Sequence, residues 1–244
     1  MRYGVISDIH ANLEALEATL RALEAYRVDH VVCLGDVVGY GADPDACCDL
    51  VRRSCRFTIL GNHDAAVAER MDYTFYRLAA RRALDGHRKV ISESNLQWLK
   101  GLPYIAHQPE ASFCHASPVD YTAFKYIFGV EHMTPLVEGF ADQPFVTFIG
   151  HSHLCKSFYY NEHSAEEILN TRFHLVPGYR YVITVGSVGQ PRDHDPRACC
   201  GVYDSETAEF EYIRVPYAIS QAAHKIFNAS YLADTFGHRL FLGV

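Results

Sequence analysis

Four short stretches combine residue types that hold metal ions or move protons. They are Asp8-Ile9-His10, Gly35-Asp36, Gly61-Asn62-His63-Asp64 and Gly150-His151-Ser152-His153. Each follows an apolar, β-prone run, and His115 ends a further one in Phe113-Cys114-His115. Carboxylate, imidazole and amide oxygen together suit Mn, Fe, Zn, Ni or Co better than Ca. Taken singly, each stretch has an ordinary explanation: Gly-Asn and Gly-Asp are common turns, and Asp64 is a natural helix cap. Recurrence at successive strand ends argues instead for one centre at the carboxyl edge of a sheet. If these segments are extended, Asp8 and His10 face one point, as do His151 and His153.

The surrounding pattern supplies the elements that must hold such a centre. Arg2 to Ser7, His30 to Leu34 and Arg56 to Leu60 read as strands. Between them, Ala11 to Tyr26 and Asp45 to Ser54 carry helical periodicity, with Asn12 and Asp43 at cap positions and Pro44 at the first turn. Strand-loop-helix units of this kind predict parallel strands with right-handed crossovers. Residues 64–101 read as helical. A hairpin is expected at Tyr104 to His107 and Glu110 to His115, then a helix at Val130 to Ala141. A strand over Pro144 to Ile149 precedes a strand-rich stretch ending at Val215, and a helix follows at Ile219 to Asn228. No repeat or linker interrupts the 244 residues, so residues 1–244 are expected to form one domain. The fold class is α/β (α+β), two mixed sheets face to face with helices outside. The tail, 230–244, has no clear pattern. Its Tyr231, Phe236 and Phe241 are open either to packing on the same domain or to a homo-oligomer interface.

Composition narrows the function classes. Hydrophobic residues are 49% and no apolar run is long enough to span a membrane. The chain enters a strand without a signal-peptide core, which makes the cytoplasm the expected location. A formal charge of −7 disfavours nonspecific nucleic-acid or anionic-membrane binding. The eight cysteines include no Cys-x-x-Cys and read as reduced, mostly buried small hydrophobes.

The order of the polar blocks resembles the calcineurin-like metallophosphoesterase family. The context Ser7-Asp8-Ile9-His10-Ala11-Asn12 and Gly186-Ser187-Val188-Gly189-Gln190-Pro191-Arg192-Asp193 is similar to its small bacterial and archaeal phosphodiesterase-type branch. The resemblance implies a four-layer αββα sandwich and two divalent transition-metal ions, manganese among the candidates. It implies Asp8, His10, Asp36 and His153 on one ion, and Asp36, Asn62, His115 and His151 on the other. It further implies a hydroxide between the ions attacking a phosphodiester, with phosphomonoesters as further substrates. His63 would supply the leaving-group proton or stabilise developing charge, oriented by Asp64. Tyr40 and Arg192 are candidate substrate contacts, with Arg197 and a backbone turn at Gly186, Ser187 and Gly189 as weaker ones.

The partner would be a phosphate-ester small molecule or a nucleotide. Protein phosphatases and symmetrical diadenosine tetraphosphatases carry Asp-Arg in the second block, whereas this chain reads Val38-Gly39-Tyr40-Gly41. Their first block has Gly-Gln or Gly-Asn after the His, where this chain has Ala11-Asn12. A nucleotide pyrophosphohydrolase of that type and a non-catalytic metal-containing binding protein are the alternative readings. The intact ligand set with His63 weighs against the second.

Overall fold

Tyr3-Gly4-Val5-Ile6 is buried along its whole length, as a strand covered on both faces requires. In the computed structural model, which describes all 244 residues, it lies within β1 (Arg2–Ile6) near the middle of a six-stranded sheet. β1 pairs in parallel with β2 (His30–Cys33), and β2 with β3 (Phe57–Thr58). The crossovers are α1 (Leu13–Ala25) and α2 (Pro44–Ser54). Asn12 caps α1 by accepting the Ala15 N–H at 3.1 Å. Asp43 holds the cap position of α2 but spends its carboxylate on Lys225, at 2.7 Å.

After α3 (Asn62–Val67), α4 (Leu78–Val90) and α5 (Glu93–Gly101), the chain builds a second sheet. Its strands are β4 (Ile105–His107), β5 (Ser112–Cys114), β6 (Val146–Ile149), β7 (Cys155–Tyr160), β8 (Ala165–Ile168) and β10 (Arg180–Val185). They lie in the order β4-β5-β6-β10-β7-β8. The first sheet is completed by β9 (Arg172–His174), β11 (Ala198–Asp204) and β12 (Glu209–Val215), giving β3-β2-β1-β11-β12-β9. Both sheets mix parallel and antiparallel pairs.

The sheets pack through large apolar side chains. Phe148 sits 5.2 Å from Tyr203 and 5.7 Å from Phe210 between ring centroids. Each fully buried phenylalanine there contributes about 1.5–3 kcal/mol relative to exposure. Leu16, Leu23, Cys47 and Val51 bring α1 and α2 onto the outer face of the first sheet. Leu136 of α6 (Thr134–Glu138), with Met133, packs on Phe158 and Val182 of the second. The result is the four-layer sandwich. All eight cysteines are free thiols, and no helix is long and apolar enough to cross a membrane.

Three segments differ from the sequence reading. Residues 68–77 are not helical. Glu69 has φ of 59°, and Asp72 turns the chain by accepting the Thr74 N–H at 2.9 Å, a local bond that competes with the helix. Residues 130–141 form 3-10 turns at Val130–His132 and Phe140–Asp142 around short α6, since Pro135 lacks a donor and Gly139 weakens continuation. The tail forms a helix, α8 (Asp234–Leu242), whose Phe236 and Leu240 pack on Ala222, Ala223 and Ile226 of α7 (Ile219–Asn228). It therefore docks on its own chain.

Candidate metal centre

The loops that follow β1, β2, β3, β5 and β6 meet at one end of the sandwich. They are tied by backbone bonds: Asp8 N–H to Gly35 O at 3.0 Å, His10 to Asp36 at 2.9 Å, Ala11 to Val37 at 2.8 Å and Gly189 to Asp8 at 2.9 Å. Asp8, His10, Asp36, His151 and His153 all have left-handed backbone, with φ between 48° and 66°. Their side chains converge, but through left-handed turns and not through extended alternation. Such conformations cost about 1–3 kcal/mol each and persist only where the surroundings impose them. The glycines make room for this. A Cβ at Gly61 would strike the Asp36 carboxylate, and one at Gly150 the Ser7 and Asp8 side chains.

Hydrogen bonds fix the imidazole tautomers. Nδ1 of His10 faces Val38 O at 3.0 Å, that of His115 faces Leu34 O at 2.8 Å, and that of His153 faces Gln190 O at 2.5 Å. A carbonyl only accepts, so each Nδ1 carries the proton, and the neutral rings of His10 and His153 turn a bare Nε2 inward. The His10 and His153 Nε2 atoms then face each other at 3.0 Å, lone pair to lone pair. His115 Nε2 lies 3.1 Å from Asn62 Oδ1 and 3.4 Å from Asp36 Oδ2, both acceptors. Asp8 Oδ1 is 3.3 Å from His153 Nε2 and has no hydrogen-bond partner in the protein, nor has the buried His151 Nε2. The facing acceptors of His10, His153 and Asp8, with no proton between them, fit a bound cation. Ligand atoms of Asp8, His10 and His153 lie within 4.8 Å of one another, as do those of Asp36, His115 and His151, and those of His10, Asp36 and His63.

Electrostatics agree. Burial pushes the Asp8 carboxyl up to about 6 and the His10, His151 and His153 imidazoles well down, so these rings are neutral and able to ligate. Burial also opposes charge on Asp36 and His115. Their mutual attraction outweighs it, holding Asp36 well below the usual carboxylate range and raising His115 to about 9. A bound cation inverts the case of His115 by taking the place of its proton.

Residues 1–185 match the model of the calcineurin-like phosphoesterase family. The chain belongs to that family. An uncharacterized protein of Methanocaldococcus jannaschii is 34% identical over 244 residues, covering 98% of this chain and 97% of its own length. A metallophosphoesterase from Sphaerobacter thermophilus superposes with a TM-score of 0.84 at 32% identity, covering 100% of this chain and 99% of its own. A hypothetical protein from Pyrococcus horikoshii shares the fold, with a TM-score of 0.79 at 17% identity and coverage of 100% and 98%.

This calcineurin-like phosphoesterase is a phosphoester hydrolase. Asp8, His10, Asp36, Asn62, His115, His151 and His153 come together as described, and the remaining predicted residues divide. His63 stands beside them, held by the rings of His10 and Tyr40 at 4.9 and 4.6 Å, with its buried Nδ1 unpartnered. Asp64 does not orient it. Its carboxylate accepts the N–H groups of Val37, Val38 and Gly61 at 2.9, 3.1 and 3.2 Å, pinning the β2 loop to the start of α3. Tyr40 and Arg192 are both at the site, 3.5 Å apart. Arg197 is turned onto Asp195 at 2.6 Å. The Gly186–Gly189 turn lends its amides to the protein itself, Val188 N–H to Ser7 O and Gly189 N–H to Asp8 O.

The phosphoesterase also has site residues that sequence patterns did not single out. A cavity of about 600 Å³ opens over Asn62, His63 and His151. Tyr76 accepts a bond from Asn62 Nδ2 at 2.6 Å, which aims the amide oxygen inward. Tyr126 stacks on His151 at 3.8 Å. His87 clamps the second-block loop, accepting from Gly39 N–H at 3.0 Å and donating to Gly41 O at 2.9 Å.

Proposed function

We propose that this phosphoesterase is a two-metal hydrolase acting on phosphodiesters. The observation that carries the reading is the convergence of the Nε2 atoms of His10, His115 and His153, bare in His10 and His153, on the carboxylates of Asp8 and Asp36. Asp8, His10, Asp36 and His153 would hold one transition-metal ion, and Asp36, Asn62, His115 and His151 the other. Bound there, divalent cations supply Lewis acidity toward phosphoryl oxygens and make water acidic enough to react at neutral pH. Asp36 supplies the shared negative charge that two close cations need. Burial lowers the His63 imidazole to about 4, so this residue, adjacent to the ligand Asn62, would give the departing oxygen a proton once the negative charge of bound substrate raises that value. Asp64 acts as a positioning residue for the two loops it binds.

The diester preference rests on charge. The second block reads Val38-Gly39-Tyr40-Gly41, without the arginine that would meet a dianionic phosphate. Arg192, held by Gln190 Oε1 at 3.1 Å, is the arginine whose charge acts on the buried His63 and His153, while Arg77 and Arg239 stand on the cavity wall beyond. A singly charged diester makes the smaller demand on such a site.

The test is hydrolysis of bis(p-nitrophenyl) phosphate and p-nitrophenyl phosphate by metal-stripped protein resupplied with Mn, Ni, Zn, Fe(II) or Mg. Metal-dependent cleavage with the diester favoured is the expected result. A monoester preference, or silence in protein shown to bind two equivalents, would overturn it.

Tyr76 gives a narrower check. Tyr76→Phe frees the Asn62 amide to rotate, and affinity for one of the two ions is expected to fall about tenfold, as for other outer-sphere partners of metal ligands. Titration calorimetry reads this directly, and two unchanged binding steps would remove Asn62 from the ligand set.

A further inference from the structure

The wall of the cavity carries positive charge that the protein does not neutralise. Arg2, Arg21, Arg88, Arg172, Arg197 and Arg214 each meet a carboxylate within 4.0 Å. Arg77 and Arg239, which line the cavity, meet none, and neither does Arg192 at its edge; other arginines such as Arg27, Arg53 and Arg56 are also unpaired, and what sets these three apart is that they gather at one cavity. Burial, together with the charges of Arg192 and Arg77, lowers the Arg239 pKa, a sign that these guanidinium groups repel one another. Arg192 Nε is buried with no acceptor. Guanidinium groups gathered without counter-charge fit a phosphate, whose oxygens match their planar donors.

The same cavity has an apolar side. Phe75 is 71% exposed at the rim, an unusual place for its ring, and meets Tyr76 edge-on at 4.9 Å. Phe236 and Tyr40 pack together at 4.9 Å on the wall that carries Arg239. An exposed aromatic face is a stacking platform for a flat heterocycle. The volume, about 600 Å³, is that of a nucleotide-sized site.

We propose that Arg77 and Arg239, with Phe75 as the stacking face, form a subsite for a nucleotide that carries a phosphate beyond the one hydrolysed. This rests on the reading of the adjoining centre as a phosphodiesterase and names its substrate class. The scissile phosphate, carrying a second organic group so that it is singly charged as a diester is, would lie at the buried histidines; the next phosphate would meet the arginines, and the base would leave the cavity along Phe75.

Binding tests this apart from turnover. Calorimetry on the metal-loaded full chain would compare α,β-methylene-ADP, AMP and methylene diphosphonate. The expected result is at least tenfold tighter binding of α,β-methylene-ADP than of either. In R77A/R239A its advantage over AMP should shrink to under threefold, and F75A should shrink its advantage over the diphosphonate. Arg77 is exposed, so R77A alone is expected to keep the fold and should at least halve the advantage over AMP if the double variant does not fold. Equal binding of the three ligands by the parent protein, or an unchanged preference in the variants, would overturn the subsite. Silence toward aryl diesters beside an intact nucleotide preference would instead overturn the diesterase reading and leave the subsite standing.

Discussion

Asp36→Asn is expected to lower metal-dependent turnover by about 10³-fold or more, because it removes the anion proposed to be shared by both halves of the centre. Asp36 Oδ2 lies 3.4 Å from His115 Nε2 and 3.7 Å from His10 Nε2, so it faces both ligand groups. Its Oδ1 accepts the His63 N–H at 2.8 Å, and an asparagine oxygen keeps that bond. The start of α3 should therefore survive the change. The change also removes the attraction that holds Asp36 low and raises His115, so at neutral pH the metal-free variant should melt earlier than the metal-free parent. Addition of Mn or Zn should then raise the parent's melting temperature and leave the variant's nearly unmoved. More than a tenth of parental activity in the variant would remove Asp36 from the bridging role.

His63→Ala is the second large effect, and its size should depend on the leaving group. A side chain that protonates a departing oxygen matters most when that oxygen is basic. With an alkyl or nucleoside leaving group the loss in kcat should reach about 10³-fold, within the usual span for general acid catalysis. With p-nitrophenolate, which departs unaided, it should be about tenfold or less. Metal content, read by mass spectrometry, should stay at the parental value, since His63 is outside both proposed ligand sets. Equal losses on both substrates would assign His63 to charge stabilisation, and loss of bound metal would make it a ligand. The second outcome has a geometric basis, since His63 shares a 4.8 Å cluster with His10 and Asp36.

Why the centre could be read from sequence, and its surroundings could not, is a matter of range. Asp8, Asp36, Asn62 and His151 each follow a short apolar strand directly or after a glycine, which is a local signal. The sandwich followed from the order of helical and alternating segments. The left-handed turns at Asp8, His10 and Asp36 were invisible, because bonds between the β1 and β2 loops impose them. Asp64 misled for the same reason. Its neighbour in sequence is His63, but its partners Val37 and Val38 lie over 25 residues away. Arg77 sits in a stretch whose helical look was broken by the Asp72 turn. Arg239 sits on α8, whose weakly patterned sequence gains its helix by docking on α7.

The nine residues of α8 have a consequence for how such a protein can diversify. The proposed ligands lie between positions 8 and 153, in loops so tightly interlocked that few substitutions fit. α8 meets the cavity from outside that network, through Phe236 on Tyr40 and Arg239 on the wall. The proposed subsite thus draws on α8 and on Phe75 and Arg77, all outside the loops that carry the proposed ligands. A lineage can exchange the subsite while those loops are held constant, acquiring new substrates without relearning the chemistry.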